Sequence, residues 1–183
     1  MGAGNALFFL VNVLFDLFMG ALLLRVLLQL VRADFYNPLS QLVWKITNPL
    51  AKPLRAVMPR FRNIDTATLL VLFVVAVIYI AVVAWMLGAA VSAPLAVWFA
   101  LLKCIVLTIN LYTLTLFVQA ILSWMGPGGR NPAADILWSL NEPLLKPVRR
   151  FIPPIGGFDL SPLVVMLALQ VLIRLVPLPM LFR

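Results

Sequence analysis

The sequence predicts an all-α membrane protein. It has four transmembrane helices in two tandem parallel repeats, each repeat with short amphipathic interfacial helices in its cytoplasmic loop. Three observations carry that prediction. First, 64% of the 183 residues are hydrophobic and only 11% are charged, where a soluble domain carries about 25% charged residues; the mean hydropathy is +1.09. Second, four long apolar runs alternate with segments rich in proline or charge. Third, the stretch Asn48 to Asp65, NPLAKPLRAVMPRFRNID, returns 94 positions later in NEPLLKPVRRFIPPIGGFD, which starts at Asn141 and ends at Asp159. Without a gap, Pro49 falls on Pro143, Lys52 on Lys146, Pro53 on Pro147, Arg55 on Arg149, Pro59 on Pro153 and Asp65 on Asp159. Upstream, Asn37-Pro38 falls on Asn131-Pro132 and Trp44 on Trp138, so the period marks a duplicated unit. The two copies divide the chain into repeats at 1–91 and 92–183.

The first span, Leu7 to Val31, is apolar apart from Asn12, Asp16, Arg25 and Gln29. At about 1.5 Å per residue it exceeds a hydrocarbon core of about 30 Å. It lacks a basic start and a small-residue cleavage site, which reads as a retained span rather than a signal peptide. The second span, roughly Ala67 to Val91, carries no charge, and Gly88, Ser92 and Pro94 make a short turn after it. The third, about Leu95 to Met125, is interrupted by Lys103, Asn110 and Gln119. The fourth runs from Pro162 to about Val176, where Pro177 and Pro179 stop the helix.

Basic residues orient these spans. Arg32, Lys45, Lys52, Arg55, Arg60 and Arg62 lie between the first two, Arg130, Lys146, Arg149 and Arg150 between the last two, and none lies near Gly88 to Pro94. The two basic segments are therefore expected in the cytoplasm and both termini outside. With an even number of spans each, the copies share one orientation, unlike the inverted repeats of many transporters.

The repeated segment has a design of its own. Asn37 before Pro38 reads as an N-cap followed by proline at the first helical position, and Asn131-Pro132 repeats it. Leu39, Leu42, Val43 and Ile46 then recur at helical spacing. Asn48-Pro49 looks like a second helix start, with Leu50, Leu54 and Val57 opposite Lys52 and Arg55, and Pro53 and Pro147 are expected to break or kink that second helix. Basic amphipathic helices with Trp44 or Trp138 suit a membrane interface. Lys52, Arg55, Lys146, Arg149 and Arg150 are accordingly the candidates for contact with anionic headgroups or a protein partner. Whether these helices lie on the bilayer or dip into it stays open. Asp65 and Asp159 each precede a span, and both capping and a functional role for the acid fit that position.

Charges inside the spans are the remaining candidates. Asp16 aligns with Asn110 and Arg174 with Ile80, so each copy carries one charge that the other lacks. Counted along the helices, Asp16 and Arg174 reach depths of about 13 Å and 10 Å below the outer face. An Asp16–Arg174 ion pair is therefore expected. By the repeat register Lys103 sits about 10 Å nearer the surface than Asp16, where it can snorkel outward, as can Arg25 at the other end of its span.

At these residues the chain resembles the YggT family, small bacterial membrane proteins with plastid relatives. The resemblance rests on Asp34-Phe35-Tyr36-Asn37-Pro38, on the Leu-Leu-Leu-Arg-Val-Leu-Leu-Gln run ending at Gln29, and on the doubled Pro-Leu-x-x-Pro-[Leu/Val]-Arg-x-x-x-Pro segment ending in Asp. It covers nearly the whole chain in its two-copy form. It implies a multi-pass protein of the bacterial inner membrane, linked with osmotic-stress tolerance, envelope and division processes, and in plastids with cytochrome-complex assembly; it implies no catalytic mechanism. The copies differ where Gly126 to Gly129 replaces Arg32 to Phe35 and Glu142 replaces Asn48.

Chemistry is thinly provided. There is no His, Cys104 is the single cysteine, and six carboxylates are scattered. That excludes an internal disulfide, a His/Cys metal site and a nucleophile–base pair. Gly126-Pro-Gly-Gly lacks the Lys-Ser/Thr of a phosphate loop. No enzyme activity and no cofactor is expected, and the net charge of +8 does not call for nucleic acid. Two readings stand. One is a scaffold or assembly factor whose interfacial helices meet anionic lipid and a membrane-protein partner or a second copy. The other is a small channel or transporter, as a single chain or an oligomer, lined by intramembrane polar groups.

Overall fold

In a computed structural model the chain is described over residues 3–56, 58, 65–124, 131–152 and 159–183. Its helices are α1 (Ala3–Leu30), α2 (Pro38–Arg55), α3 (Thr66–Met86), α4 (Ala93–Trp124), α5 (Pro132–Arg149) and α6 (Ser161–Leu175), with a 3-10 turn at Met180–Phe182. No strand occurs among the described residues. Three of these helices are long and apolar enough to cross a membrane: Gly4–Leu30, Thr66–Met86 and Ala93–Ser123. The fourth expected span is the 15-residue α6, only about 22 Å long at helical rise. Asp159 and Pro162 fix its start, and Pro177 follows its end.

α3 packs between α1 and α4, and α4 in turn carries α6. Lipid tails are as apolar as leucine, so leucine burial does not drive these contacts; close approach and polar pairing do. The sequence sorts its faces accordingly. Ala76 and Ala100 are fully buried, beside Met19, Leu22, Ile80, Val83 and Val106, whereas Phe9, Leu14, Leu17, Leu101 and Ile105 face outward. A smaller cluster of Leu116, Leu145 and Val165 joins α4, α5 and α6. At the C-terminal end Phe182 packs on Phe99 with ring centroids 5.4 Å apart. The Arg183 guanidinium donates to the carbonyls of Ile173, Val176 and Leu178, at and just beyond the end of α6.

α1, α2 and α3 contact one another pairwise, and so do α4, α5 and α6. The Asn37 side chain accepts from the Leu39 amide at 2.9 Å and donates to the Pro132 carbonyl at 2.6 Å, tying the starts of α2 and α5 together. Asn131 accepts from the Ala133 amide at 3.0 Å.

The expected pair of short helices in each repeated segment is not what forms. Each segment is one 18-residue helix, with Pro49 and Pro53 inside α2 and Pro143 and Pro147 inside α5. Each internal proline removes one backbone donor and crowds the preceding turn. The helix nonetheless continues, because contacts on both sides of the prolines hold it: Thr47 to Arg25 before them and Arg55 to Asp65 after them. Pro59 and Pro153 lie outside the described residues, as do Arg60, Arg62, Arg130 and Gly126 to Gly129.

Candidate functional site

Where α1, α2 and the start of α3 meet, the repeated Arg and Asp form a buried network. Asp65 occupies the N-cap position of α3, but its side chain makes no capping bond to the helix backbone. It turns to the guanidiniums instead. Arg55 Nε donates to Asp65 Oδ2 at 2.6 Å and Arg25 Nη2 to the same oxygen at 3.2 Å. Thr68 Oγ1 also donates to it, at 2.9 Å. Arg55 Nη2 stands 2.6 Å from this oxygen, outside hydrogen-bond geometry. Two further arms are used as well: Arg25 Nη1 donates to Thr47 Oγ1 at 2.7 Å and Arg55 Nη1 to Asn48 Oδ1 at 3.0 Å. Gln29 Oε1 takes the Asp65 amide at 3.1 Å. Arg25 and Asp65 are both buried, so removing either would leave the other an uncompensated buried charge. Arg25 therefore does not snorkel as expected; its counter-ion lies inside the fold. The network borders a cavity of about 420 Å³.

The second copy rebuilds part of this arrangement. Arg149 Nε donates to Asp159 Oδ2 and Nη1 to Glu142 Oε2, both at 2.8 Å. Here Asp159 does serve a helix start, accepting the Ser161 amide on Oδ1 at 2.9 Å. Partial burial raises the pKa of Asp159, but the Ser161 amide and the Arg149 charge outweigh it and hold the carboxyl below its ordinary value. At the positions aligned with Arg25 and Thr47 stand Gln119 and Asn141. Asn141 donates to Gln119 Oε1 at 2.8 Å, and Thr115 donates to Asn141 Oδ1 at 2.8 Å. The copies thus share the Arg–Asp pair and differ in sign around it: the first adds a cation at Arg25, the second an anion at Glu142.

A third cluster lies between the long helices. Lys103 Nζ is 2.8 Å from Asp16 Oδ1 and 4.6 Å from the centroid of the Tyr79 ring. The Tyr79 hydroxyl donates to Asn12 Oδ1 at 2.6 Å, and Asn12 donates to the Phe8 carbonyl at 2.7 Å. This corrects the expected Asp16–Arg174 pair and the expected snorkelling of Lys103, which is only 2% exposed. The repeat register misjudged the depth. Counted from the start of α4 at Ala93, Lys103 is about 15 Å in, level with Asp16, and a flexible four-carbon stem closes the remaining offset. Arg174 and Asn110 are exposed, and Arg174 has no carboxylate partner among the described residues.

Of the other candidate contact residues, Lys52, Lys146 and Arg150 are exposed, as are Trp44 and Trp138. Arg149 sits over the Trp138 ring at 5.4 Å. Arg55 and Arg149 are committed to Asp65 and Asp159 rather than offered freely to headgroups. Sequence reasoning singled out these two pairs without pairing them, and it missed Gln29, Thr47, Thr68, Thr115 and Asn141. One signal could have found some of them: polar residues fall on the same repeat positions in both copies, Arg25 on Gln119 and Thr47 on Asn141.

Comparison with known proteins agrees with the two-part sequence. The family model described as CCB3/YggT matches residues 4–86 and 98–181. An uncharacterized protein of Pseudomonas aeruginosa is 37% identical over 179 residues, covering 96% of this chain and 90% of the relative. The uncharacterized protein YggT of Escherichia coli is 40% identical over 169 residues, covering 92% and 87%. A chloroplastic YlmG homolog protein 2 of Arabidopsis thaliana is 39% identical over 62 residues, covering 34% of this chain and 24% of the relative. No solved structure matches the chain.

Proposed function

The chain belongs to the CCB3/YggT family, and from that membership we propose that it is a non-enzymatic scaffold or assembly factor of the cell envelope, active in osmotic-stress tolerance. One observation carries this reading: the charged groups inside α1 and α4 each have a counter-ion within the fold, which leaves Arg174 of α6 as the exception. Asp16 is matched by Lys103, and Arg25 by Asp65. Unmatched intramembrane charge facing a path is one mark of an ion conduit; a charge held by its own counter-ion fits assembly of the helices better. Exposed chemistry then concentrates on α2 and α5, which present Lys52, Lys146 and Arg150 beside Leu42, Trp44 and Trp138.

The protein sits in the bacterial inner membrane with four spans, α6 being a short fourth one. Its two parallel repeats fall at 1–91 and 92–183, its termini outside and α2 and α5 on the cytoplasmic surface. Support comes from the basic residues flanking α2 and α5 and from the like triplets α1–α2–α3 and α4–α5–α6. Anionic lipid and a membrane-protein partner or second copy are the contacts such a surface suits. Purified protein in liposomes tests the reading: potassium and proton fluxes should match those of empty vesicles, while photo-crosslinking from Leu42 in native membranes should give a discrete protein adduct. Flux well above empty vesicles would overturn it in favour of a channel.

A further inference from the structure

The shared Arg–Asp pair explains why α2 is held against α3; it does not explain the cavity beside it. That cavity is lined by Arg25, Arg32 and Arg55 against one acidic residue, Asp65, an excess of positive charge. Two atoms on lining residues, Arg25 Nε and Ser40 Oγ, are buried with no hydrogen-bond partner among the described residues, on residues 4% and 8% exposed. Buried polar atoms are nearly always satisfied, so each such atom asks for an explanation. A guanidinium edge and a hydroxyl together form a donor set that an oxyanion accepts from.

Arg32 supplies an independent observation. It closes α1 with φ 54, the Ala33 amide bonding the Leu28 carbonyl at 2.9 Å and the Arg32 amide the Gln29 carbonyl at 3.2 Å. This left-handed cap ordinarily takes glycine. α3 ends in the same motif with Gly88 at φ 65. Non-glycine residues in such conformations are held by the surrounding structure and cluster at functional sites.

The second copy turns these observations into a pattern. Aligned with Arg25, Arg32 and Ser40 are Gln119, Gly126 and Ala134, whereas Arg55 and Asp65 remain as Arg149 and Asp159. All three donors are absent together from the copy that keeps the structural pair. We propose that the first-copy cavity binds a phosphate group, with Arg25, Arg32 and Ser40 as its donors and Arg55, fixed by Asp65, as its positive wall. Phe35 and Trp44, packed edge to face at 6.2 Å, flank the opening with apolar surface. The phosphate belongs to an anionic phospholipid headgroup or to a soluble phosphate compound. This goes beyond the scaffold reading and stands whether or not the protein recruits a partner.

Native mass spectrometry of the full chain in detergent, with added short-chain phosphatidylglycerol, phosphatidylcholine or inorganic phosphate, tests the proposal. The wild type should retain phosphatidylglycerol or inorganic phosphate in preference to phosphatidylcholine. Phosphatidylglycerol alone identifies a lipid ligand, and retention of inorganic phosphate a soluble one. Arg32→Gly and Ser40→Ala each install the second copy's residue. Arg32→Gly should weaken retention at least about tenfold, the value of one charge-assisted hydrogen bond, without lowering the melting temperature; Ser40→Ala should weaken it less. Equal retention of all three ligands, retention of none, or unchanged affinity in Arg32→Gly would overturn the assignment.

Discussion

Replacing Lys103 with methionine keeps the stem and removes the charge that faces Asp16. The pair is close, 2.8 Å, with Lys103 2% and Asp16 39% exposed. Without Lys103 the carboxylate is left among apolar helices and lipid, at a cost of about 2.5–3.5 kcal/mol for a charge near a helix centre. Losing the Tyr79 ring contact adds about 1 kcal/mol. Lys103→Met should therefore lower stability by about 3.5–4.5 kcal/mol. Asp16→Asn should cost about as much, because it strands a lysine that is more deeply buried still. In the double variant no bare charge remains, and its loss should not exceed that of either single variant. The resulting coupling is at least about 3.5 kcal/mol. Reversible SDS unfolding in mixed micelles, followed by far-ultraviolet circular dichroism for the four proteins, measures it. Strictly additive losses would refute the pair. The same cycle with Arg174→Leu in place of Lys103→Met should be additive, and coupling there would restore the expectation that Asp16 pairs with Arg174.

The two copies of the Arg–Asp pair should respond unequally. Asp65→Asn strands a buried Arg25 and should cost about 3 kcal/mol or more, whereas Asp159→Asn, in a more exposed site, should cost about 1 kcal/mol, both read from thermal unfolding in detergent. Acid titration gives a sign: the Asp159 carboxyl lies below its ordinary value of 3.8, so its stabilisation is complete above that value and is lost as pH falls through the lower folded value. Melting temperature should thus drop as pH falls below 3.8, and Asp159→Asn should remove part of that drop; an unchanged slope would contradict the assignment. Asn37→Ala removes both a cap and the bond to Pro132 and should destabilise by about 1–2 kcal/mol, more than Asn131→Ala, which removes only a cap.

Much of the architecture was legible in the sequence because its signals are local. Apolar length marked the α1, α3 and α4 spans to within a few residues, and Asn-Pro marked the starts of α2 and α5. The continuity of α2 was not legible. Proline acts on the local backbone, but the contacts that carry the helix past Pro49 and Pro53 come from Arg25 and Asp65, which are remote in sequence. Depth was the other failure. The repeat register fixes which residues correspond, not how far α4 is shifted along its axis relative to α1, and that shift decided between Lys103 and Arg174. The Arg55–Asp65 and Arg149–Asp159 pairs were visible as repeated residues. Their role was hidden because spacing alone does not show that an arginine ten residues back reaches the acid.

The parallel arrangement of the two copies, with α2 and α5 on one face of the membrane, is tested most directly by cysteine accessibility in a Cys104→Ser background. Single cysteines at Lys45, Ser92 and Ser139, all exposed positions, are exposed to an impermeant maleimide in intact spheroplasts and after lysis. The account predicts labelling at 92 in intact spheroplasts and at 45 and 139 only after lysis. Labelling of 45 and 139 from opposite sides would contradict it.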